Sequence, residues 1–214
     1  MAKLQFFKGA LTGKLGEFVG SKWKGINYLR MFAKPANPRT EDQVSVRAVF
    51  ASISAFASAL YAYGLLEVIP PAKRMTERNT VFKANKKMFT DKVFVPSALQ
   101  VSKPNYGLSP TGCSAAFNAS TKVLTFTAST TPVADYVDDV KDVHFMLYDL
   151  NKKEAVAVAT VENFSGTISA QATVPTFNTA GGSAPNDCRL YCFISMEDEH
   201  GHKFISSTVS GNVN

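Results

Sequence analysis

Two short runs in this sequence have residue types and spacings that occur at phosphate or metal sites. The run GALTGKL, residues 9–15, resembles a phosphate-binding loop, but it is one residue short and Leu15 replaces the required Ser or Thr. Asp138, Asp139 and Asp142 resemble a magnesium motif, yet they precede a strand, and no second acidic cluster supplies further oxygens. We interpret the first run as a glycine arm and the second as a solvated acidic loop, with a calcium ion there as the alternative.

A zinc site is the next possibility, because two cysteines and two histidines lie close together near the C-terminus. On an extended strand, Cys188 and Cys192 would be about 13 Å apart, whereas two thiolates on one zinc lie within about 4 Å. We therefore predict that both cysteines pack in a core, and that His200 and His202 lie in an exposed turn. Because the chain has three cysteines, an odd number, we expect reduced thiols.

Catalytic machinery is not indicated by the sequence. No serine lies in a nucleophile elbow, no cysteine has an obvious histidine partner, and the chain has three histidines in all. We therefore predict a protein that is not an enzyme, with no catalytic residues, no cofactor and no bound metal.

Basic and aromatic residues alternate near the N-terminus, a pattern typical of single-stranded nucleic-acid binding by stacking and charge. The alternative is that the aromatic residues form core and the lysines a solvated face, which we favour for Trp23 and Tyr28. In both cases the charges are available to a partner. The predicted partner-binding residues are Lys14, Lys22, Trp23, Lys24, Tyr28, Arg30, Asn37 and Arg39.

Charge is distributed unevenly along the chain. Residues 1–97 contain 16 Lys and Arg against 6 Asp and Glu, a net charge of +10, and residues 98–214 contain 7 against 11, a net charge of −4. This asymmetry predicts two modules with different surroundings. The basic half could bind nucleic acid, an acidic protein surface, or the acidic half of a neighbouring copy, which would favour self-assembly.

The first module is predicted to contain an arm, a hairpin and two helices. After a glycine-punctuated arm without clear periodicity, residues 17–32 predict a hairpin that turns at residues 24–25, with Trp23 opposite Ile26. Apolar residues on both faces mean that this hairpin must pack on the following helices or on another subunit. A helix should start at Thr40 and run to about residue 63, and a second should span residues 74–89. The first helix should bury Val46, Val49, Phe50, Ile53, Phe56 and Leu60.

The second module, residues 98–214, is predicted to be all β. Short runs rich in β-forming residues alternate with turns, and the most apolar runs, VHFMLYD and CRLYCFI, should be central strands. Eight such strands favour an immunoglobulin-like antiparallel β-sandwich, with a small barrel as the alternative. They begin at LQVSK, residues 99–103, and end at FISSTVS, residues 204–210. The predicted fold class is therefore α+β and multidomain, with domains 1–97 and 98–214.

The sequence also resembles a known family. The stretches GKLGEFVGSKWKGINYLR and NPRTEDQVSVRAVF are similar to the N-terminal signature of a family of unknown function that is common in Bacteroidota and their phages. The residues that match this signature are Gly13, Lys14, Gly16, Val19, Gly20, Trp23, Lys24, Gly25, Arg30, Asn37, Pro38, Arg39, Thr40, Gln43 and Arg47. The family supplies no catalytic residues, so the resemblance supports the architecture and leaves the function open.

These observations favour a structural assembly protein of a phage virion, whose basic arm and hairpin dock on neighbouring subunits. The alternatives are a nucleic-acid-binding protein that uses the basic half and a sandwich that recognises a glycan or a cell surface. The start of the sequence has no apolar run typical of a signal peptide, and we found no apolar run as long as a membrane span. We therefore expect synthesis in the cytoplasm, later incorporation into a virion, and no membrane partner.

Overall fold

The computed structural model describes residues 2–3, 12–23, 26–33, 39–71, 75–130, 141–164 and 168–213. The chain divides into two compact units, Met1–Thr40 and Glu41–Asn214, which are called unit 1 and unit 2 below. This division differs from the predicted boundary after residue 97, and the packing of the helices, described below, explains the difference.

Unit 1 is an antiparallel four-stranded sheet with the order β1-β4-β3-β2. Its strands are β1 (Ala2–Lys3), β2 (Gly13–Leu15), β3 (Phe18–Trp23) and β4 (Ile26–Met31). The predicted hairpin has the predicted register, with Trp23 opposite Ile26, although its turn, residues 24–25, lies outside the described residues. The arm, for which no strand was predicted, supplies both edge strands. β2 forms because Gly16, at φ 60°, permits a tight turn that returns the chain onto β3.

Unit 2 begins with helix α1 (Glu41–Ala62), which starts directly after Thr40 as predicted. Two acidic residues in its first turn face the positive end of the helix dipole. Two predictions about its buried face are wrong, because Val46 is half-buried and Phe50 is 54% exposed and stacks on Phe82 at a centroid distance of 4.9 Å. The buried residues of α1 are Val49, Ile53, Phe56, Ala57, Ala59 and Leu60.

By length and composition alone, α1 could cross a membrane, although no such run was recognised in the sequence. Core helices of soluble proteins meet the same test, so the observation is weak evidence for a membrane span. The fully buried Ile53, Phe56 and Leu60 of α1 belong to a protein core that also contains sheet residues.

The predicted second helix is two short helices, α2 (Glu77–Ala84) and α3 (Lys86–Asp91). Thr76 caps α2 by accepting a hydrogen bond from the Asn79 backbone N–H. The break falls at the buried Asn85, whose side chain donates to the carbonyls of Val81 and Gln100 and accepts from the Gln100 N–H. Asn85 therefore binds the backbone of a later segment at the point where the helix is interrupted.

The rest of unit 2 is a β-sandwich of two antiparallel sheets, with short 3₁₀ turns at Pro96–Ala98 and Pro185–Asp187. The first sheet has the order β5-β6-β9, and the second has the order β11-β10-β7-β8, with β12 also paired to β10. The strands are β5 (Pro110–Asn118), β6 (Val123–Thr130), β7 (Lys141–Asp149), β8 (Glu154–Val161), β9 (Ile168–Thr173), β10 (Cys188–Glu197), β11 (Lys203–Ile205) and β12 (Val209–Gly211).

Two predicted strands differ from those in the structure. Residues 99–103 form no strand, because their backbone groups form hydrogen bonds with side chains instead of with another strand. The Val101 N–H, for example, donates to the Thr208 hydroxyl at 3.0 Å. The predicted last strand is divided into β11 and β12 by residues 206–208. The apolar runs in β7 and β10 do form the central strands of their sheet, as predicted.

Both faces of the β7–β10 sheet are buried, one against the other sheet and one against the helices. Phe145 of β7 stacks on Phe126 of the facing sheet at 5.6 Å. On the opposite face, Phe56 of α1 makes edge contacts with Tyr148 at 5.6 Å and Tyr191 at 5.1 Å. The helices therefore complete a core of the sandwich, so a boundary at residue 97 is wrong for this part of the chain.

Candidate interaction surface

One face of the unit 1 sheet carries a cross-strand row of exposed apolar side chains. Leu15 pairs with Phe18, and Phe18 pairs with Met31, so the three side chains lie side by side on one face. They are 61%, 44% and 67% exposed, respectively. We call these three residues the apolar row. Single exposed apolar side chains are common on protein surfaces, but adjacent ones form a patch of the kind that partners bind.

Unit 1 has no apolar core among the residues whose burial is described. Of residues 12–22, 26–33 and 39–40, Gly20 alone is buried. A chain segment of about 40 residues rarely buries enough apolar surface to be stable without a disulfide, a metal or a partner. The three cysteines of the chain all lie in unit 2 and are free. The main-chain pairing of this sheet is therefore not accompanied by hydrophobic burial in the described part of unit 1.

The other face of the sheet carries exposed cations beside the exposed apolar side chains of Ile26 and Phe32. Lys14 pairs with Val19, and Val19 pairs with Arg30, so the two cations flank one valine across three strands. The Lys14 Nζ also lies 4.2 Å from the centroid of the Phe32 ring, a cation–π contact. Residues 1–40 contain eight Lys and Arg and one acidic residue, Glu17, a net charge of +7. Unit 1 is thus more basic than the chain as a whole, whose net charge is +6.

The predicted partner-binding residues have different positions in this unit. Lys14, Lys22, Arg30 and Arg39 are exposed, and Tyr28 is half-buried. Lys22 pairs with Asn27 on the face that carries the apolar row. Trp23 ends β3, but its side chain is outside the described residues, as are Lys24 and Asn37. Of the predicted set, the pairing brings together Lys14 and Arg30.

Unit 2 has an acidic groove, which sequence reasoning did not find. It consists of two adjoining clefts of about 330 and 370 Å³ that share Glu67 and Lys203. The Lys203 ammonium donates to the backbone carbonyl of Glu67. The carboxylates that line the groove are Glu67, Glu77, Asp142 and Glu197, and its apolar lining residues are Tyr61, Leu66, Val68 and Met196. These residues come from the α1 region, α2, β7 and β10, so their proximity depends on tertiary packing.

A buried histidine lies next to this groove. The His144 Nε2 is 2.7 Å from the Oγ of Ser195, a lining residue, and the His144 Nδ1 is 3.0 Å from the Thr160 Oγ1. Burial lowers the pKa of His144 to about 4, although Asp142 opposes the shift. A neutral imidazole held between two hydroxyls links β8, β7 and β10. Ser195 is itself buried, so we interpret this serine–histidine pair as a structural link.

The candidate metal residues do not converge on a site. Cys188 and Cys192 lie on one face of β10 and pack in the sandwich core, as predicted. Burial raises the pKa of Cys188 to about 12. The exposed His202 donates its Nδ1–H to the Asp198 carboxylate at 2.8 Å. Among the described residues, no group of three or more His, Cys, Asp or Glu could hold a metal. Residues 138–139 of the acidic loop and residues 9–11 of the glycine arm lie outside the described residues.

A family model matches residues 10–204. The chain belongs to DUF6266, a family of unknown function. The prediction that the chain belongs to a family of unknown function is therefore confirmed. The association of that family with Bacteroidota and phages stays a prediction. No curated protein matches this DUF6266 chain.

Solved structures similar to the DUF6266 chain include two of the β-glucuronidase of Parabacteroides merdae, one of them with glycerol in its active site. The glycerol structure has a TM-score of 0.31 and 15% identity, and the match covers 50% of this chain and 14% of that chain. The other structure has a TM-score of 0.28 and 13% identity, with 50% of this chain and 13% of that chain covered. A bacterial immunoglobulin-like domain from the ice-binding adhesin of M. primoryensis has a TM-score of 0.29 and 12% identity, with 50% of this chain and 99% of that domain covered. Similarities this low carry no functional argument.

Proposed function

We propose that this DUF6266 chain is a non-enzymatic structural protein that builds an assembly, a phage virion in our proposal, by docking unit 1 on neighbouring subunits. The observation that carries the proposal is the apolar row of Leu15, Phe18 and Met31, exposed on a unit with no buried apolar side chain in its described part. A partner that covers this row would supply the burial that unit 1 otherwise lacks.

The energy available from such docking is substantial for a small unit. Full burial of a Leu, Phe or Met side chain stabilises by about 1.5–3 kcal/mol. Since each member of the apolar row is roughly half exposed, covering it would contribute roughly 1–2 kcal/mol per side chain. In an assembly the same contact recurs at every subunit, so the contributions of many copies add up.

In this proposal unit 2 is the scaffold, an immunoglobulin-like sandwich extended by three helices. We assign β5, β6 and β9 to strands A, B and E of such a sandwich, and β7, β8 and β10 to C, C′ and F, because the strand order is compatible with this assignment. β11 and β12 share the position of strand G. This arrangement supports an immunoglobulin-like class, and the two fully packed faces of its central sheet suit a rigid support.

The test is the oligomeric state of the purified full-length chain, measured by light scattering after gel filtration and by electron microscopy. We expect particles or oligomers from the wild type, and their loss in a Phe18→Ser, Met31→Ser variant. A Val44→Ser, Val93→Ser variant is the matched control, because it removes two exposed apolar side chains from unit 2 and should assemble normally. A wild-type chain that stays monomeric at all concentrations would overturn the proposal.

A second candidate function is nucleic-acid binding, which the net charge of +7 on residues 1–40 favours. Phosphate contacts made by lysine and arginine release counterions, so the affinity should fall steeply as salt rises. Replacing Lys22 and Arg30 by Ala should weaken binding for all nucleic-acid sequences alike and reduce the salt dependence. Absence of binding to single- and double-stranded oligonucleotides at low salt would exclude this function.

A further inference from the structure

We infer that the surface on which unit 1 docks is the acidic groove of a second copy of the same chain. This inference rests on the proposed function and goes further by naming the partner and its binding site. The inference depends on two properties in which the surfaces are complementary, their charge and their apolar character.

The charge match begins with the groove. Among the described residues, the two clefts are lined by four carboxylates, those of Glu67, Glu77, Asp142 and Glu197, and by one ammonium, that of Lys203. Lys203 is held by the backbone carbonyl of Glu67. Unit 2 as a whole is nearly neutral, with 15 Lys and Arg against 16 Asp and Glu. The excess of carboxylates is therefore a local property of the groove.

Unit 1 carries the opposite charge on both faces of its sheet. Lys22 is exposed on the face of the apolar row, and Lys14 and Arg30 are exposed on the other face. Among the described residues, neither Lys22 nor Arg30 forms an ion pair. Opposite potentials steer association and select the partner, so a surface with a net charge of +7 on residues 1–40 favours an acidic groove over neutral surfaces.

The apolar match supplies the affinity. Tyr61, at the side of the groove, is 74% exposed, and Val68 and Met196 in its lining are half-buried. Tyrosine is enriched among the residues that dominate the binding energy of interfaces, and Tyr61 shares its cleft with Leu66. The apolar row of unit 1 would cover these residues while Lys22, on the same face, meets the surrounding carboxylates.

The geometry of the match also explains why docking would propagate. The two surfaces are different, and both are exposed in each chain, so one copy can donate unit 1 and accept another at the same time. Such a contact is heterologous, and it closes into a ring or continues as a filament. This is the behaviour required of an assembly protein.

Charge reversal with rescue tests the inference on the full-length chain. A sheet-reversed variant carries Lys22→Glu, on the face of the apolar row, and a groove-reversed variant carries Glu77→Lys and Glu197→Lys. Because like charges would then face each other, we expect each variant alone to associate at least about tenfold more weakly than the wild type. Mixing the two variants places every reversed surface against a complementary one and should restore assembly to near the wild-type level.

Two matched controls separate this contact from a general effect of net charge. Lys86→Glu, and Glu154→Lys with Glu162→Lys, change the same charges at exposed sites of unit 2 outside the groove. Both should assemble like the wild type. Circular dichroism of each variant checks folding, and rescue on mixing is independent evidence that the reversed chains are folded.

The outcomes distinguish the inference from the proposed function. If the Phe18→Ser, Met31→Ser variant loses assembly while the groove-reversed variant assembles normally, the groove is not the partner, but the docking function stands. Loss of assembly in both reversed variants without rescue on mixing also overturns the inference, as does assembly that requires added nucleic acid. A monomeric wild type overturns the inference and the proposed function together.

Discussion

Truncating Phe56 tests whether the helices and the β-sandwich fold as one unit. Phe56 lies on α1, is fully buried, and makes edge-on contacts with the rings of Tyr148 and Tyr191 on the central sheet. In a shared core, the cavity left by Phe56→Ala destabilises strands and helices together. In a protein divided after residue 97, the same substitution would destabilise the helical module alone.

The expected magnitude follows from the burial of this ring. Phe-to-Ala substitution in a packed core costs about 3–5 kcal/mol, which lowers the melting temperature of a unit of this size by roughly 6–20 °C. Phe56→Leu keeps most of the volume and should cost about 1 kcal/mol. The matched comparison is Phe50→Ala on the same helix: its ring is mostly exposed, and loss of its stacking on Phe82 should cost about 1 kcal/mol.

The assay is thermal unfolding followed by two signals, far-ultraviolet circular dichroism for the helices and near-ultraviolet circular dichroism for the buried tyrosines. We expect the two signals from Phe56→Ala to shift together and by the same amount. A helical transition that moves while the tyrosine transition stays at its wild-type temperature would refute the shared core. Equal effects of Phe56→Ala and Phe50→Ala would refute the argument from burial.

Two further predictions concern unit 2. Because the pKa of His144 falls to about 4 in the folded state and is near 6.5 in the unfolded state, the unfolded chain binds the proton first. Stability should therefore decrease by about 3 kcal/mol as the pH falls from 6.5 to 4, and denaturant titrations of His144→Gln should show a smaller decrease. Gly211→Ala would place a Cβ 2.1 Å from the Cys113 carbonyl oxygen and should cost about 1–3 kcal/mol. Gly112→Ala, with open space at its Cβ position, should leave the melting temperature nearly unchanged.

The elements that could be predicted from sequence are those with a local physical signal. The register of the unit 1 hairpin follows from apolar residues on both sides of a glycine-containing turn, and β7 and β10 follow from continuous apolar runs. The start of α1 follows from Thr40 and the acidic residues after it. In each case the residues that determine the structure are neighbours in the sequence.

The features that were missed depend on residues far apart in the chain. Residues 99–103 are β-rich in composition, but their backbone is bound by Asn85 and Thr208, so they form no strand. The link between His144 and Ser195 joins residues 51 positions apart and depends on strand register. The groove likewise combines residues from helices and strands, and no periodic pattern marks it. A count of charges indicated that the two halves differ, but it could not locate the acidic surface.

Different parts of this DUF6266 chain determine its stability and its association with partners. Unit 2 buries aromatic rings on both faces of its central sheet, whereas the described part of unit 1 buries no apolar side chain. Substitutions in the apolar row should therefore change assembly and, in the monomeric chain, leave the melting temperature of unit 2 unchanged. Substitutions such as Phe56→Ala should lower that temperature without altering the surface of the sheet. The single tryptophan, Trp23, lies in unit 1, so its fluorescence can follow docking separately from the unfolding of unit 2.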